Sequence, residues 1–172
     1  MAMSGLGAPI AIRLEAPGDE SAIFELTKRA FAGMKFSDGT EPYIVDKLRA
    51  DGDLTLSLVA IERLRLIGHI AISPLSISDG ATDWYGLGPV SVTPELQRKG
   101  IGSALIRRAL ADMRENGAKG IALLGSTEYY PRFGFRHEPQ LRYPGPPAEY
   151  FQCLVLEGRL PSGVVTYAPA FR

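Results

Sequence analysis

Gln97-Arg98-Lys99-Gly100-Ile101-Gly102 is the stretch of this chain with the most chemistry in it. It lies between an apolar strand, Leu87-Gly88-Pro89-Val90-Ser91-Val92, closed by Thr93-Pro94, and an amphipathic helix expected from Gly100 to Asn116. A strand that turns through two basic residues and two glycines into a helix start forms a seat for an anion. First-turn amides have no acceptor one turn back, and the positive end of the helix dipole favours negative charge. Glycine lets a bulky ligand approach the backbone without a Cβ clash. The chemistry expected here is recognition of a diphosphate.

Two other phosphate loops fail on spacing. A Walker-type loop requires Gly-Lys-Ser/Thr, whereas Lys99 precedes Gly100. A dinucleotide fingerprint requires a third small residue three positions after Gly102, where Leu105 stands, and it opens a βαβ unit. A glycine turn that caps a helix and binds nothing stays open.

These residues also carry a resemblance. Gln-x-x-Gly-x-Gly at Gln97 to Gly102 resembles the acyl-CoA pyrophosphate loop of the GNAT superfamily of N-acyltransferases. Tyr129-Tyr130-Pro131-Arg132-Phe133-Gly134-Phe135 is similar to that family's second signature, a Tyr followed by two variable residues and an aromatic or leucine, Gly and Phe. The interval from Gly102 to Tyr130 leaves room for one helix and one strand, as that fold has. Trp84 to Val90 and Pro144 to Phe151 resemble an uncharacterised bacterial branch, and the resemblance covers residues 9 to 157.

The resemblance implies an N-acetyltransferase that uses acetyl-CoA as co-substrate, without a metal, and passes the acetyl group to a primary amine by direct attack. The implied cofactor-binding residues are Val90, Ser91, Val92, Gln97, Arg98, Lys99, Gly100, Ile101, Gly102, Ser103, Ser126, Tyr130 and Phe133. Val90 and Val92 would orient a pantetheine arm entering a splay between their strand and the next, Ile121 to Gly125. Tyr130 would be the general acid. A phenol with a pKa of about 10 is protonated at neutral pH and can donate to a departing thiolate. Tyr129 is its rival, and either ring could simply pack against the cofactor.

The base is less legible. Many family members place a Glu on the strand before the loop, but Leu87-Gly88-Pro89-Val90 carries no carboxylate. Glu41, Asp83, Glu128, His69 or a water are the candidates. A strand histidine such as His69 is more often structural, and Glu41 at a helix start more often offsets the dipole. The missing carboxylate keeps open a non-catalytic CoA-binding sensor or partner-binding module on the same fold. Arg132 reads as a solvated side chain or a contact for the 3′-phosphate. Cys153 reads as core, with a covalent acyl-cysteine route as the weaker alternative.

The elements that must position these groups follow from periodicity. Ile10 to Leu14 alternates as a strand, and Pro17-Gly18-Asp19 supplies a turn and a cap for a helix carrying Ile23, Leu26, Ala30 and Phe31. Thr40-Glu41-Pro42 opens a second helix, which Asp51-Gly52-Asp53 ends. Leu54 to Glu62 and Arg65 to Ser73 read as an antiparallel hairpin. After the long helix, stopped at Asn116-Gly117, come a buried strand at Ile121 to Leu124 and a short helix at Glu128 to Arg132. Phe151 to Leu156 and Val164 to Tyr167 read as closing strands. Strands that precede the main helix in a run favour an α+β fold with a mixed, largely antiparallel sheet. The resemblance implies α/β/α layering, with about six to seven strands and flanking helices.

The 172 residues read as one domain, with 1–9 a flexible N-terminus. Nineteen basic residues balance nineteen acidic ones, so nucleic acid and anionic membranes are not expected partners. Met1 to Pro9 has no signal-peptide pattern, and no apolar run approaches the roughly 20 residues of a membrane span. The one cysteine, Cys153, excludes an internal disulfide, and two histidines without a Cys/His cluster argue against a metal site. The expected protein is cytoplasmic, a monomer or homodimer. It would act on a small-molecule or peptide amine held by Phe31 to Pro42 and the loops around Pro74 and Pro144.

Overall fold

The computed structural model of the chain describes residues 2–3 and 9–172. Residues 1 and 4–8, most of the expected flexible N-terminus, lie outside the described set. Contacts divide the chain into two units, Met1–Ile72 with Gly88–Ala109, and Ser73–Leu87 with Leu110–Arg172.

The first unit holds β1 (Ala2–Met3), β2 (Pro9–Leu14), α1 (Glu20–Phe31), α2 (Glu41–Asp51), β3 (Leu56–Glu62) and the first part of β4 (Arg65–Ile77). It also takes the end of β5 (Trp84–Val92) and the start of α3 (Ile101–Glu115). β2, β3 and β4 pair antiparallel, with Leu14 opposite Leu58 and Leu58 opposite Ile70. Arg63 and Leu64, both at positive φ, make the tight turn of the β3–β4 hairpin.

The two faces of this sheet are covered differently. Ile23 of α1 and Val45 of α2 pack against Val59. Gly68 lies so close to α3 that an added Cβ would meet Leu105 at 3.0 Å and Ile101 at 3.2 Å. Val59 and His69 are paired neighbours, as are Ala60 and Gly68, and successive residues alternate faces. The helices therefore sandwich the sheet within this unit.

The cap of α1 departs from expectation. Asp19 stands at the cap position, but its carboxylate accepts from Ala16 N at 2.8 Å and pairs with Arg13 at 2.7 Å instead of capping the helix. The arginine two residues before Glu15 wins the carboxylate.

The second unit contains the rest of β4 and β5, the end of α3, β6 (Gly120–Leu124), β7 (Leu141–Arg142), β8 (Phe151–Val155) and β9 (Gly163–Tyr167). β5 and β6 pair in parallel from Trp84↔Gly120 to Gly86↔Ala122, and β6 and β8 pair antiparallel. β9 runs antiparallel to β4 and parallel to β7. Its core joins Trp84, Ile77, Ala122, Leu141, Phe151, Cys153 and Val165. Burial pushes the Cys153 thiol up to about 12, as befits a packing residue.

The fold is α+β with a mixed, mostly antiparallel set of strands, nine among the described residues. The excess over six to seven comes from β1 and β7, dipeptides too short to show a period. Leu124, expected to be buried, is 41% exposed where it closes the β6–β8 ladder opposite Phe151. The helix expected over 128–132 is a single 3-10 turn, Tyr130–Phe133, closed by left-handed Gly134.

Candidate functional site

In the first unit the chain leaves β5 through Thr93, whose amide donates to Ile67 O at 2.9 Å. One 3-10 turn follows, Pro94–Leu96, with Leu96 N donating to Thr93 O. Gln97 is extended and reaches back, its Nε2 donating to Val92 O at 3.1 Å. Arg98 and Gly100 then adopt φ of 63° and 89°, and Ala104 N donates to Gly100 O to open α3. Two left-handed residues around Lys99 thus swing the chain into the helix. A non-glycine residue there costs about 1–2 kcal/mol, which the surrounding turn must hold in place.

The turn is suited to an anion. Helix geometry leaves the amides that open α3, at Ile101 and Gly102, without an acceptor one turn back. Arg98, Lys99 and Gly100 are exposed. The nearest carboxylate upstream, Glu95, is already engaged by Arg29 at 2.6 Å and the Thr93 hydroxyl at 2.9 Å. Its own backbone amide and Thr93, then Arg29, hold Glu95 below the usual carboxylate range. The acid beside the loop is therefore neutralised by partners. Ser91 is buried and donates its hydroxyl to Thr27 on α1 at 3.4 Å, whereas Val90 and Val92 are half-buried on the other side of the strand. The structure joins the strand residues to the loop through the Gln97–Val92 bond.

In the second unit a different turn presents Tyr130. Gly125 N donates to Tyr150 O at 3.0 Å as the chain leaves β6. The Ser126 hydroxyl accepts from Glu128 N and Tyr129 N, each at 3.1 Å, and Tyr130 N donates to Ser126 O at 3.3 Å. The Tyr130 ring lies over Gly125, where any side chain would collide with it, and meets Phe135 edge-on at 6.1 Å. Phe133 is 6.3 Å away and Tyr129 5.1 Å. Burial, then the neighbouring Tyr129, pushes the Tyr130 phenol up to about 12. It is protonated throughout the neutral range and able to donate. Arg132 folds onto Tyr129, with Nε donating to its carbonyl at 2.8 Å and the guanidinium 4.4 Å over its ring.

The base candidates separate by environment. His69 has no exposed surface, and burial lowers it to about 4, with Arg49 adding to the effect and Glu15 opposing it. Its Nε2 meets the Ser57 hydroxyl at 2.8 Å, Ser57 donates to Glu15 at 2.7 Å, and Arg49 grips Glu15 through two bonds at 2.8 and 2.9 Å. It is a buried structural imidazole rather than one facing a cleft. Glu41 accepts from Ser37 within the approach to α2, and Asp83 and Glu128 are exposed. Among the described residues no cluster of three or more His, Cys, Asp and Glu side chains could hold a metal ion, and no helix is long and apolar enough to cross a membrane.

Two features escaped the sequence reading. The Glu15–Arg49–Ser57–His69 network spans residues far apart in the chain. Gln152, 2% exposed, donates from Nε2 to Gly125 O at 3.1 Å and Ser126 O at 3.2 Å. The available signal for Gln152 was a polar residue in the apolar run Phe151 to Val155.

Comparison with known proteins follows the same lines. A family model described as an acetyltransferase (GNAT) domain matches residues 11–137. YhbS of Escherichia coli strain K12, an uncharacterized N-acetyltransferase, is 33% identical over 139 residues, covering 78% of this chain and 80% of that protein. The crystal structure of a GNAT family acetyltransferase from Brucella melitensis in complex with acetyl-CoA superposes with a TM-score of 0.86 at 45% identity, over 96% of this chain and 99% of that one. The Escherichia coli YhbS structure in complex with CoA gives a TM-score of 0.86 at 31% identity, over 95% and 92% of the two chains.

Proposed function

Because the chain belongs to the GNAT acetyltransferase family, we propose that it transfers an acetyl group from acetyl-CoA to a primary amine. The observation that carries the reading is the turn at 97–103, where left-handed Arg98 and Gly100 lead into the first-turn amides of α3. The acetyl-CoA held by the Brucella melitensis relative supports it.

In the proposed reaction, main-chain amides from Arg98 to Ser103 hold the pyrophosphate, and the Arg98 and Lys99 side chains add positive charge. Gln97 keeps the loop against Val92. Main-chain groups of Val90 and Val92 orient the pantetheine and polarise the thioester carbonyl. The amine nitrogen attacks the carbonyl carbon, the C–N bond forms and the C–S bond breaks. The departing sulfur takes the Tyr130 proton, and solvent later returns one to the phenol. Ser126 and Phe133 shape the turn that bears Tyr130. The amine sheds its surplus proton through a water or one of Glu41, Asp83 and Glu128; the burial of His69 disfavours it.

The proposal takes residues 1–172 as one domain, supported by a family match that draws on segments of both units. It also takes the protein as cytoplasmic, a monomer or homodimer, acting on a small-molecule or peptide amine. Isothermal titration with acetyl-CoA tests the foundation. Binding in the micromolar range is expected, and none up to millimolar concentration removes the reading.

A further inference from the structure

We infer that Gln152 is a positioning residue for Tyr130: from β8 its carboxamide grips the two carbonyls that begin the Tyr130 turn. The inference rests on the proposed role of Tyr130 as proton donor. Gln152 faces Leu123 across the β6–β8 ladder, next to the last pair, Leu124↔Phe151. From there Nε2 reaches past the ladder to Gly125 O at 3.1 Å and Ser126 O at 3.2 Å. An amide nitrogen has two hydrogens to give, and these two acceptors account for both.

The second carbonyl is the informative one. Ser126 O also accepts Tyr130 N, so one oxygen ties Gln152 directly to the backbone of the proton donor. The first carbonyl belongs to Gly125, the residue on which the Tyr130 ring rests. Gln152 therefore sets both the start of the turn and the floor beneath the ring. Leucine would fill a similar volume in an apolar strand without a buried amide to satisfy. The amide is accounted for by two carbonyls that lie beyond the end of the ladder, Gly125 O and the second lone pair of Ser126 O. A proton donor displaced by an ångström loses catalysis without loss of fold, so this support has a kinetic consequence.

Gln152→Leu, Gln152→Glu, Tyr130→Phe and the double variant Gln152→Leu/Tyr130→Phe test the inference. The assay uses acetyl-CoA with the amine from a panel that most accelerates CoA thiol release by the wild type. Gln152→Leu is expected to lower kcat by about ten- to a hundredfold, with KM for acetyl-CoA changed less than about twofold. In the Tyr130→Phe background the same change is expected to cost less than about threefold, because the group it positions is gone. Equal losses in both backgrounds, or an unchanged kcat, overturn the inference.

Should the leucine variant fail to fold, Gln152→Glu decides. A protonated carboxyl can donate one bond and a carboxylate none, so its kcat relative to wild type is expected to rise as pH falls. A flat ratio overturns the inference. A readout without any acceptor is the ¹³Cζ resonance of Tyr130 in labelled protein, identified by its absence in Tyr130→Phe. Its titration midpoint is expected to drop from about 12 in Gln152→Leu, where a displaced ring meets more water. If Tyr130→Phe keeps full turnover, the proton-donor role fails, and this resonance still decides whether Gln152 positions the ring. If Tyr130→Phe is slow but the Gln152 variants match wild type in rate and resonance, only the Gln152 inference fails.

Discussion

Residues 93–103 and residues 125–135 each end a strand in a turn; past Thr93 and Glu95, which Ile67 O and Arg29 anchor, neighbours in sequence hold the first, whereas a distant strand adds its own bonds to the local ones of the second. Around the first turn, Leu96 N bonds Thr93 O, Gln97 Nε2 bonds Val92 O and Ala104 N bonds Gly100 O. Around the second, Gly125 leans on Tyr150, and Gln152 takes the carbonyls of Gly125 and Ser126. The first turn offers main-chain donors, so what matters is backbone shape. The second offers one side chain, whose aim depends on residues more than twenty positions later. A main-chain site can be specified by a short motif, whereas a side-chain site needs a supporting shell.

The sharpest way to break this contrast is Tyr130→Phe. The phenol is held protonated by burial, and losing it is expected to lower turnover by about a hundredfold or more with acetyl-CoA affinity unchanged. Steady-state kinetics and titration calorimetry on one preparation check it, and unaltered turnover rejects the acid role.

Gly100→Val probes the opposite half. Nothing lies within 4 Å of a Cβ placed there, so any effect reports conformation and not crowding. At φ of 89° a β-branched residue is strained, and the acetyl-CoA dissociation constant is expected to rise about tenfold while kcat at saturation stays within a few fold. A wild-type dissociation constant would mean that the seat lies elsewhere.

The smallest effect concerns stability rather than either turn, and it asks what a buried polar group does when it presents nothing to a ligand. Burial lowers His69 from 6.5 to about 4 in the fold. Between those values the unfolded chain binds the proton more readily, so stability falls as pH drops from about 6.5 toward 4. Glu15, facing His69 through Ser57, adds to the loss at the acid end. Its burial raises its pKa, but bonds from Arg49 and Ser57 and the Arg49 charge outweigh that and leave it lowered. Urea denaturation across this range should show a shallower decline for His69→Gln. Parallel curves for variant and wild type would assign the acid sensitivity to other groups.

Much of the fold was legible in advance for identifiable reasons. Asn116-Gly117 marked the end of α3, and Gly52 caps α2 in the left-handed conformation that the Asp51-Gly52-Asp53 signal implies. The hairpin and closing strands followed from alternation and β-branched content. The local reading erred where side chains compete over distance. Asp19 stands at a good cap position, yet Arg13 and Ala16 N take its carboxylate. β7 is two residues long, and its pairing with β9 leaves no trace in its own sequence.

By itself the order of amino acids determined α1 to α3, the hairpin and the glycine turn at the start of α3, because period and punctuation act within a few neighbours. Only the tertiary structure decided that His69 is sealed behind Ser57, that Ser91 turns onto α1, and that Gln152 holds the ground under Tyr130. Those outcomes depend on strand register and burial, which bring together residues that no local window contains.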